Sequence, residues 1–426
     1  MKAFFRLIPK LAALVTLAVL TGFVLLLLAY MLPVAPIEEN VTKSADIFRR
    51  EGTYPITDIM GVDTRLDNYT DALMLLSASY RGEESPLEKT LKVYRYASPV
   101  SDDPAITLVA HYGDGAEVST TSYERYWHGY LITLKPLLSL LDYGQIRALN
   151  VVLVGAVTLC LFCLMYKRGI SGYILPLLIS LLLLDPTAIV RSLQYSTIYY
   201  ISILASCYLL FKLEWLTKQK DRLPLLFAAV GCVTSFFDLL TWPLASFGLP
   251  FCIFLASDKR DAGKHLRLML LCLVSWSVGY GGMWAGKWLV AAAFGDTGAV
   301  KTALTIAFFR SSMADEAGYA FSYLDVLKRN LMHMVAPAAL AALIYVIAAL
   351  MLQRRRHGTG AGNGTWSNGL AVRAVLALLP FFWYLALGNH SYVHHWFTYR
   401  ELGISAFALL SMLPPLPFGI KPMQRP

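Results

Sequence analysis

The sequence predicts an all-α polytopic membrane protein with about ten transmembrane helices and a large first extracytoplasmic loop. Three observations predict it. Residues 11–32 run for twenty-two positions without a charge, enough for a helix to cross a hydrocarbon core of about 30 Å. Residues 33–130 are mostly polar, and apolar blocks then return and continue to the C-terminus. The 426-residue chain is 57% hydrophobic but only 15% charged, whereas a soluble domain carries about a quarter charged residues.

The first apolar block is read as a retained anchor spanning 1–32. A signal peptide has a shorter apolar region of about 7–15 residues and a small-residue cleavage site; Pro33, Val34, Ala35 and Pro36 make a poor one. Further helices are expected at 148–166, 171–185, 195–215, 223–239, 242–257, 268–292, 331–353, 371–388 and 402–418. Lys2, Arg6 and Lys10 precede the first of them and hold the N-terminus in the cytoplasm. Lys167 with Arg168, the segments 212–222 and 259–267, Arg354–Arg356 and the Lys421/Arg425 tail then all fall on the same side. Both termini are therefore expected in the cytoplasm. The net charge of +9 reflects these basic connections, not affinity for nucleic acid.

Between the helices lie an extracytoplasmic loop (33–147) with interfacial helices and a second such segment at 294–330. They separate the anchor from a bundle (148–293) and a C-terminal group (331–426). DALMLLSASY (71–80) has helical spacing, ITLVAHY (106–112) resembles a strand, and LITLKPLLSLL (131–141) is amphipathic and too short to span. KTALTIAFFR and YLDVLKRN in the second segment suit helices lying on the membrane. GTGAGNGTWSNG (358–369) reads as a flexible cytoplasmic linker. The six cysteines all fall in apolar blocks and read as packing residues.

Three clusters can carry chemistry. In VDTRLDNYTDALMLLSASY (62–80), Asp63, Asp67 and Asp71 are four apart. If helical throughout they share a face and repel, which a cation, a bound metal or protonation of one carboxyl would offset. Asp67 or Thr70 is equally suited to cap the helix that follows, while a carboxylate at the membrane surface suits a general base. YERYWHGYLITLKPLL (123–138) sets Arg125, Trp127 and His128 among tyrosines, either an interfacial aromatic belt or a surface for sugar rings. GNHSYVHHWFTYRELG (388–403) gathers His390, His394, His395, Tyr399 and Arg400 with Glu401. Arg400 is a fork of donors suited to phosphate, and the histidines can add hydrogen bonds or protons near neutral pH. Zinc ligation by the histidines is a further reading, although no HExxH pattern is present. Asp185, Arg191, Gln194 and Asp238 are lesser candidates at helix ends, and Lys287 is expected to snorkel along Trp284 and Trp288.

An N-terminal helix, a large loop with acidic residues soon after the membrane exit, and a bundle of about ten crossings resemble the GT-C superfamily of integral-membrane glycosyltransferases. Members carry a catalytic carboxylate in the first outer loop, and LDNYTDALML places Asp67 and Asp71 there, with Asp63 just upstream; DNYTD replaces the DE-type pair of several families. The resemblance implies inverting transfer of a sugar from a polyprenyl-phosphate donor to a glycan, lipid or protein acceptor at the extracytoplasmic face; the absence of targeting signals and the compact loops point to a bacterial inner membrane. It implies a first-loop Asp as base, Arg400 with His390 and His394 on the leaving phosphate, and Arg125 and His128 on sugar or acceptor. No cofactor is certain; Mg²⁺ or Mn²⁺ is one option. The competing classes are a flippase or transporter of a lipid-linked saccharide, and a polymerase or ligase of surface polysaccharide.

Overall fold

The computed structural model describes residues 2–59, 62–258, 262–294, 298–315, 317–334, 336–358 and 369–414. It is about three-quarters helical, with four short strands. Helix α1 (Lys2–Tyr30) leads to α2 (Ala35–Glu51), the hairpin β1 (Ile56–Ile59) and β2 (Val62–Arg65), and then α3 (Asn68–Ala78). The hairpin pairs antiparallel with Ile56 opposite Arg65 and Asp58 opposite Asp63. Next come α4 (Pro86–Lys92), β3 (Tyr94–Ala97), α5 (Pro104–Leu108), a π-helical turn at Val109–Gly113, and β4 (Ser119–Ser122), which pairs antiparallel with β3. Helix α6 (Leu131–Leu138) closes this region.

The strand expected at 106–112 is instead helical. Asp103 accepts the Ala105 amide at 2.8 Å and Pro104 occupies the first helical position. That start signal overrides the β preference of Ile106 and Val109.

The bundle follows as α7 (Tyr143–Lys167), α8 (Ile174–Leu182), α9 (Pro186–Arg191), α10 (Leu193–Phe211), α11 (Leu213–Lys218), α12 (Arg222–Phe237), α13 (Ala245–Ser257) and α14 (Ala262–Ala293). Helices α15 (Ala299–Arg310) and α16 (Tyr323–Leu331) occupy the second loop segment, as their sequence suggests. The described residues end with α17 (Ala336–Gly358), α18 (Leu370–Ala386), the short turns α19 (Gly388–Val393) and α20 (His395–Thr398), and α21 (Leu402–Leu410).

Among the described residues four helices are long and apolar enough to cross a membrane: Leu7–Tyr30, Tyr143–Lys167, Gly263–Ala293 and Ala336–Arg354. Their outward surfaces are apolar, as Leu17, Val24, Leu28, Val152 and Leu343 on α1, α7 and α17 show. Such surfaces suit lipid, not water. The other expected spans are helical but shorter: α13 has 13 residues, and α8 and α21 have 9 each. At 1.5 Å per residue these fall short of the hydrocarbon thickness on their own. The linker at 359–368, residues 259–261, the Lys421/Arg425 tail and the end of the 402–418 segment lie outside the described residues.

Two glycines set the closest helix packing. A Cβ at Gly231 would meet the backbone of Trp276, and one at Gly279 the carbonyl of Ala228. Small residues at these points let α12 and α14 approach backbone to backbone, as membrane helices do. A large apolar core fills the bundle around Tyr195, Phe247 and Phe251. A second core joins Val19 and Leu26 of α1, Phe236 and Met283 of α12 and α14, and Ile37, Phe48, Leu75 and Leu131 of the loop region. The loop region therefore rests on the bundle through shared hydrophobic packing.

Candidate functional site

The loop region and the 388–401 segment meet over a cavity of about 560 Å³. Asp67, Tyr69 and Thr70 line it together with His390, His394 and Trp396 and with Arg95, Arg125 and Arg310. The acidic first-loop segment and the histidine-rich segment, more than 300 positions apart in sequence, thus share one space.

Asp67 is both a helix cap and a cavity group. Its carboxylate accepts the Thr70 amide at 3.1 Å and the Thr70 hydroxyl at 2.8 Å at the start of α3. It is buried, and burial pushes its carboxyl up to about 7; the Thr70 bonds and the more distant Arg400 charge oppose that shift, while Asp71 adds to it. A carboxyl tuned there is poised to take a proton near neutral pH.

Asp71 has another task. It accepts from the Tyr143 hydroxyl at 2.5 Å, the Leu193 and Gln194 amides at 3.0 and 3.3 Å, and the Ser192 hydroxyl at 3.3 Å. It thereby ties α3 to α7 and supplies an anion to the N-terminus of α10. Beside it, Arg147 bonds both Glu51 oxygens at 2.9 and 3.0 Å and Asn68 at 2.9 Å, and Arg191 reaches Glu51 at 3.0 Å. Asp63 lies in β2, not on a helix with the other two, and its side chain is outside the described residues. The three carboxylates therefore do not share one helical face.

This dispersal bears on metal. Among the described residues no group of three or more His, Cys, Asp or Glu is placed to hold an ion. Both Asp71 oxygens already accept hydrogen bonds, so Asp71 does not offer the free oxygens a divalent cation prefers.

The histidines are neutral. His390 Nε2 lies 2.7 Å from the Leu240 carbonyl oxygen, which can only accept, so Nε2 holds the proton and Nδ1 is bare. That Nδ1 is buried and without a partner, as is Nδ1 of His394. Burial and the nearby Arg310 hold His390 down at about 3 and keep His394 well below the usual range. These rings therefore bring no positive charge to the cavity they line.

The positive charge comes from elsewhere. Arg400 is fully buried; its Nε donates to Leu184 O at 3.0 Å, its Nη1 to Trp396 O at 3.1 Å, and its guanidinium stacks 4.0 Å from the Tyr195 ring. It does not line the cavity. Arg125, half-buried over the Tyr123 ring, does. So do Arg95 and Arg310, which the sequence reading passed over. Arg310 donates to Asn389 Oδ1 at 3.1 Å. Its only sequence signal is the charge that ends the apolar helix α15.

Several other expected site residues are structural. Trp127 is buried and donates to Met283 O at 2.6 Å. His128, in the left-handed region at φ 54°, bridges the Tyr130 hydroxyl and Tyr123 O at 2.8 Å each. His395 pairs with His333 at 2.5 Å, and Tyr399 is buried behind Arg400. Lys287 does not snorkel: it is buried, donating to Thr90 O at 3.0 Å and Leu91 O at 2.7 Å at the end of α4. Asp238 caps the turn after α12, accepting the Thr241 amide at 3.0 Å.

A second, apolar groove of about 150 Å³ adjoins the cavity and shares Arg125, Tyr126 and Arg310 with it. Tyr280, Trp284, Trp288 and Trp383 line it. The Tyr280 hydroxyl and the Trp284 and Trp383 indole nitrogens are buried without partners. The joined space thus has a polar chamber with a poised carboxyl, an arginine threshold, and an aromatic slot. No family model, curated protein or solved structure matches this chain.

Proposed function

We propose that this protein is a membrane glycosyltransferase that moves a sugar from a polyprenyl-phosphate donor to an acceptor hydroxyl. The single observation that carries the reading is the shared threshold of Arg125 and Arg310, with Asp67 in the chamber on one side and the aromatic groove on the other. An amphiphile whose phosphate lies between a sugar and a long apolar tail has the same order of parts.

In this reading Asp67 takes the acceptor proton as the acceptor oxygen bonds to the anomeric carbon. The bond from that carbon to the phosphate oxygen breaks, and the electron pair leaves with the polyprenyl phosphate. Arg125 and Arg310, joined by Arg95, receive the growing charge, where preorganised donors contribute most. The neutral rings of His390 and His394 line the space for the sugar without competing with the arginines for its phosphate. Arg400, which the sequence suggested for the phosphate, acts instead on the folding of the 396–400 turn.

The orientation follows the charge pattern. Lys10 bonded to Asp221 and Arg168 beside Glu214 mark the end of the bundle away from the cavity, which suits the cytoplasm. The cavity then opens on the extracytoplasmic face, the shorter helices complete the crossings in pairs or at a tilt, and a bacterial inner membrane is the expected setting. A flippase would need a polar route through the bundle; the chamber and groove described above lie together at one end, which favours chemistry at that face.

The test is a transfer assay with purified protein and a defined polyprenyl-phosphate sugar. Asp67→Asn keeps a capping side chain but removes the base, and should lower turnover by at least about a hundredfold. Full activity in that variant would refute the assignment.

A further inference from the structure

We infer that Arg95 reads a second anionic group, carried by the acceptor, so that the acceptor is an acidic sugar bearing a carboxylate or a phosphate; the inference rests on the transferase reading above.

Strand alternation aims Arg95 at the chamber. Its neighbours in β3, Tyr94 and Tyr96, both pack against Tyr80, with ring centroids 5.6 and 5.2 Å apart. Successive side chains of a strand leave on opposite faces, so Arg95 projects the other way, where it lines the chamber. Arg125 and Arg310 line both the chamber and the aromatic groove, whereas Arg95 lines the chamber alone. The charges divide in the same way: Arg95 bears on the Tyr69 hydroxyl, Arg125 and Arg310 on that of Tyr126.

The Arg95 end of the chamber is also the Asp67 end. Tyr69 follows Asp67 by two positions in the first turn of α3. Tyr54, on whose hydroxyl the Asp67 charge bears, stacks on Tyr69 at 6.1 Å with the planes 6° apart. Trp396 meets Tyr54 edge-on at 5.3 Å, and all three rings line the chamber. Near-parallel rings offer an apolar platform to the face of a sugar, beside the carboxyl proposed to take the acceptor proton.

Charge supplies the rest. A polyprenyl phosphodiester brings one negative charge, rising toward two as the anomeric bond breaks and a phosphomonoester leaves. Arg125 and Arg310 balance that on their own. Arg95 donates through Nη1 to Tyr96 O at 3.2 Å and has no carboxylate partner among the described residues. Asp102 and Asp103 also bear on Tyr69, but Asp103 caps α5 and accepts the Thr53 hydroxyl at 2.5 Å. Asp67 is the one acid among the residues that line the chamber, and it is uncharged whenever it holds its proton. A guanidinium set in this way matches the paired oxygens of a carboxylate or phosphate. Held there, an acidic substituent fixes which acceptor hydroxyl faces Asp67.

The experiment measures binding of methyl glucoside, methyl glucuronide and methyl glucoside 6-phosphate to the full-length protein in nanodiscs. Saturating polyprenyl phosphate is present to fill the threshold, so the added anions report on Arg95. Both acidic glycosides should bind about tenfold tighter than the neutral one or better, and the tighter of them names the group. Arg95→Gln should bring all three within about twofold of one another, while lowering polyprenyl-phosphate affinity less than Arg310→Gln does. Any of four results would overturn the assignment: no preference for the acidic glycosides, a preference that survives Arg95→Gln, a loss of polyprenyl-phosphate affinity as large as that of Arg310→Gln, or inorganic phosphate binding as tightly as the glycosides, which would mark an anion site without a sugar platform. Binding is read without turnover, so failure of the transferase reading shows separately, as full activity in Asp67→Asn.

Discussion

The Tyr143 hydroxyl donates to the Asp71 carboxylate at 2.5 Å in the interior between α3 and α7. Asp71 is thereby a structural anchor, and the catalytic proposal falls on Asp67 four residues earlier. Asp71→Ala leaves the Tyr143 hydroxyl and the Leu193 and Gln194 amides without their acceptor, at a cost of about 1–3 kcal/mol for each buried group. Thermal unfolding in detergent should show a large loss of stability. Tyr143→Phe should be milder, and its residual activity should keep the wild-type pH profile.

Asp67 should set the pH dependence of both rate and stability. Its carboxyl is pushed up to about 7 by burial, against about 3.9 in an unfolded chain. The folded state therefore holds this proton more tightly, and the stability it contributes is present below about pH 4 and lost as pH rises through 7. Activity runs the other way, rising with pH to a plateau above 7 as the base loses its proton. Turnover and unfolding temperature measured from pH 5 to 8 should show both slopes in wild type; Asp67→Asn should lose the rise in activity and the loss of stability above about pH 6.5, keeping only the histidine contribution on the acid side.

The histidines add a slope of opposite sign. His390 and His395 are held down at about 3 by burial, with Arg310 and His333 reinforcing it, while unfolded histidine titrates near 6.5. Their contribution is complete above about 6.5 and is lost as pH falls toward 3. His390→Gln should flatten the acid limb of the stability curve and weaken sugar binding, leaving the activity midpoint near 7 in place. A shift of that midpoint would mean that His390, not Asp67, is the titrating group.

Arg310→Gln and Arg400→Gln should separate two kinds of arginine. The first removes a guanidinium from the threshold and should weaken polyprenyl-phosphate binding by about tenfold or more. The second leaves the Leu184 and Trp396 carbonyls unpaired in the interior, so it should lower the unfolding temperature with donor affinity retained in the folded fraction. Equilibrium binding beside thermal unfolding decides between them.

Composition and charge periodicity made the helical membrane class legible, because lipid demands long apolar helices and shows in the sequence directly. The meeting of Asp67 with His390 and His394 was also legible in outline, since chemistry-bearing residues collected in two polar connections. The direction of each side chain was not. Arg400 and Arg310 look alike in sequence, yet backbone carbonyls claim one and the other borders the cavity. Lys287 looked like a snorkelling lysine because its partners, the carbonyls of Thr90 and Leu91, lie almost two hundred positions away. The segment around Ile106 misled because a proline and a capping aspartate outweigh local β preference.

The second hydrophobic core carries a consequence for how this chain is made. Val19 and Leu26 leave the ribosome early, but Phe236 and Met283, which close the same core, emerge only after most of the bundle. The loop region between them must therefore remain incompletely packed until α12 and α14 have been made. Excised as a free-standing fragment, it would keep a bare greasy underside and aggregate.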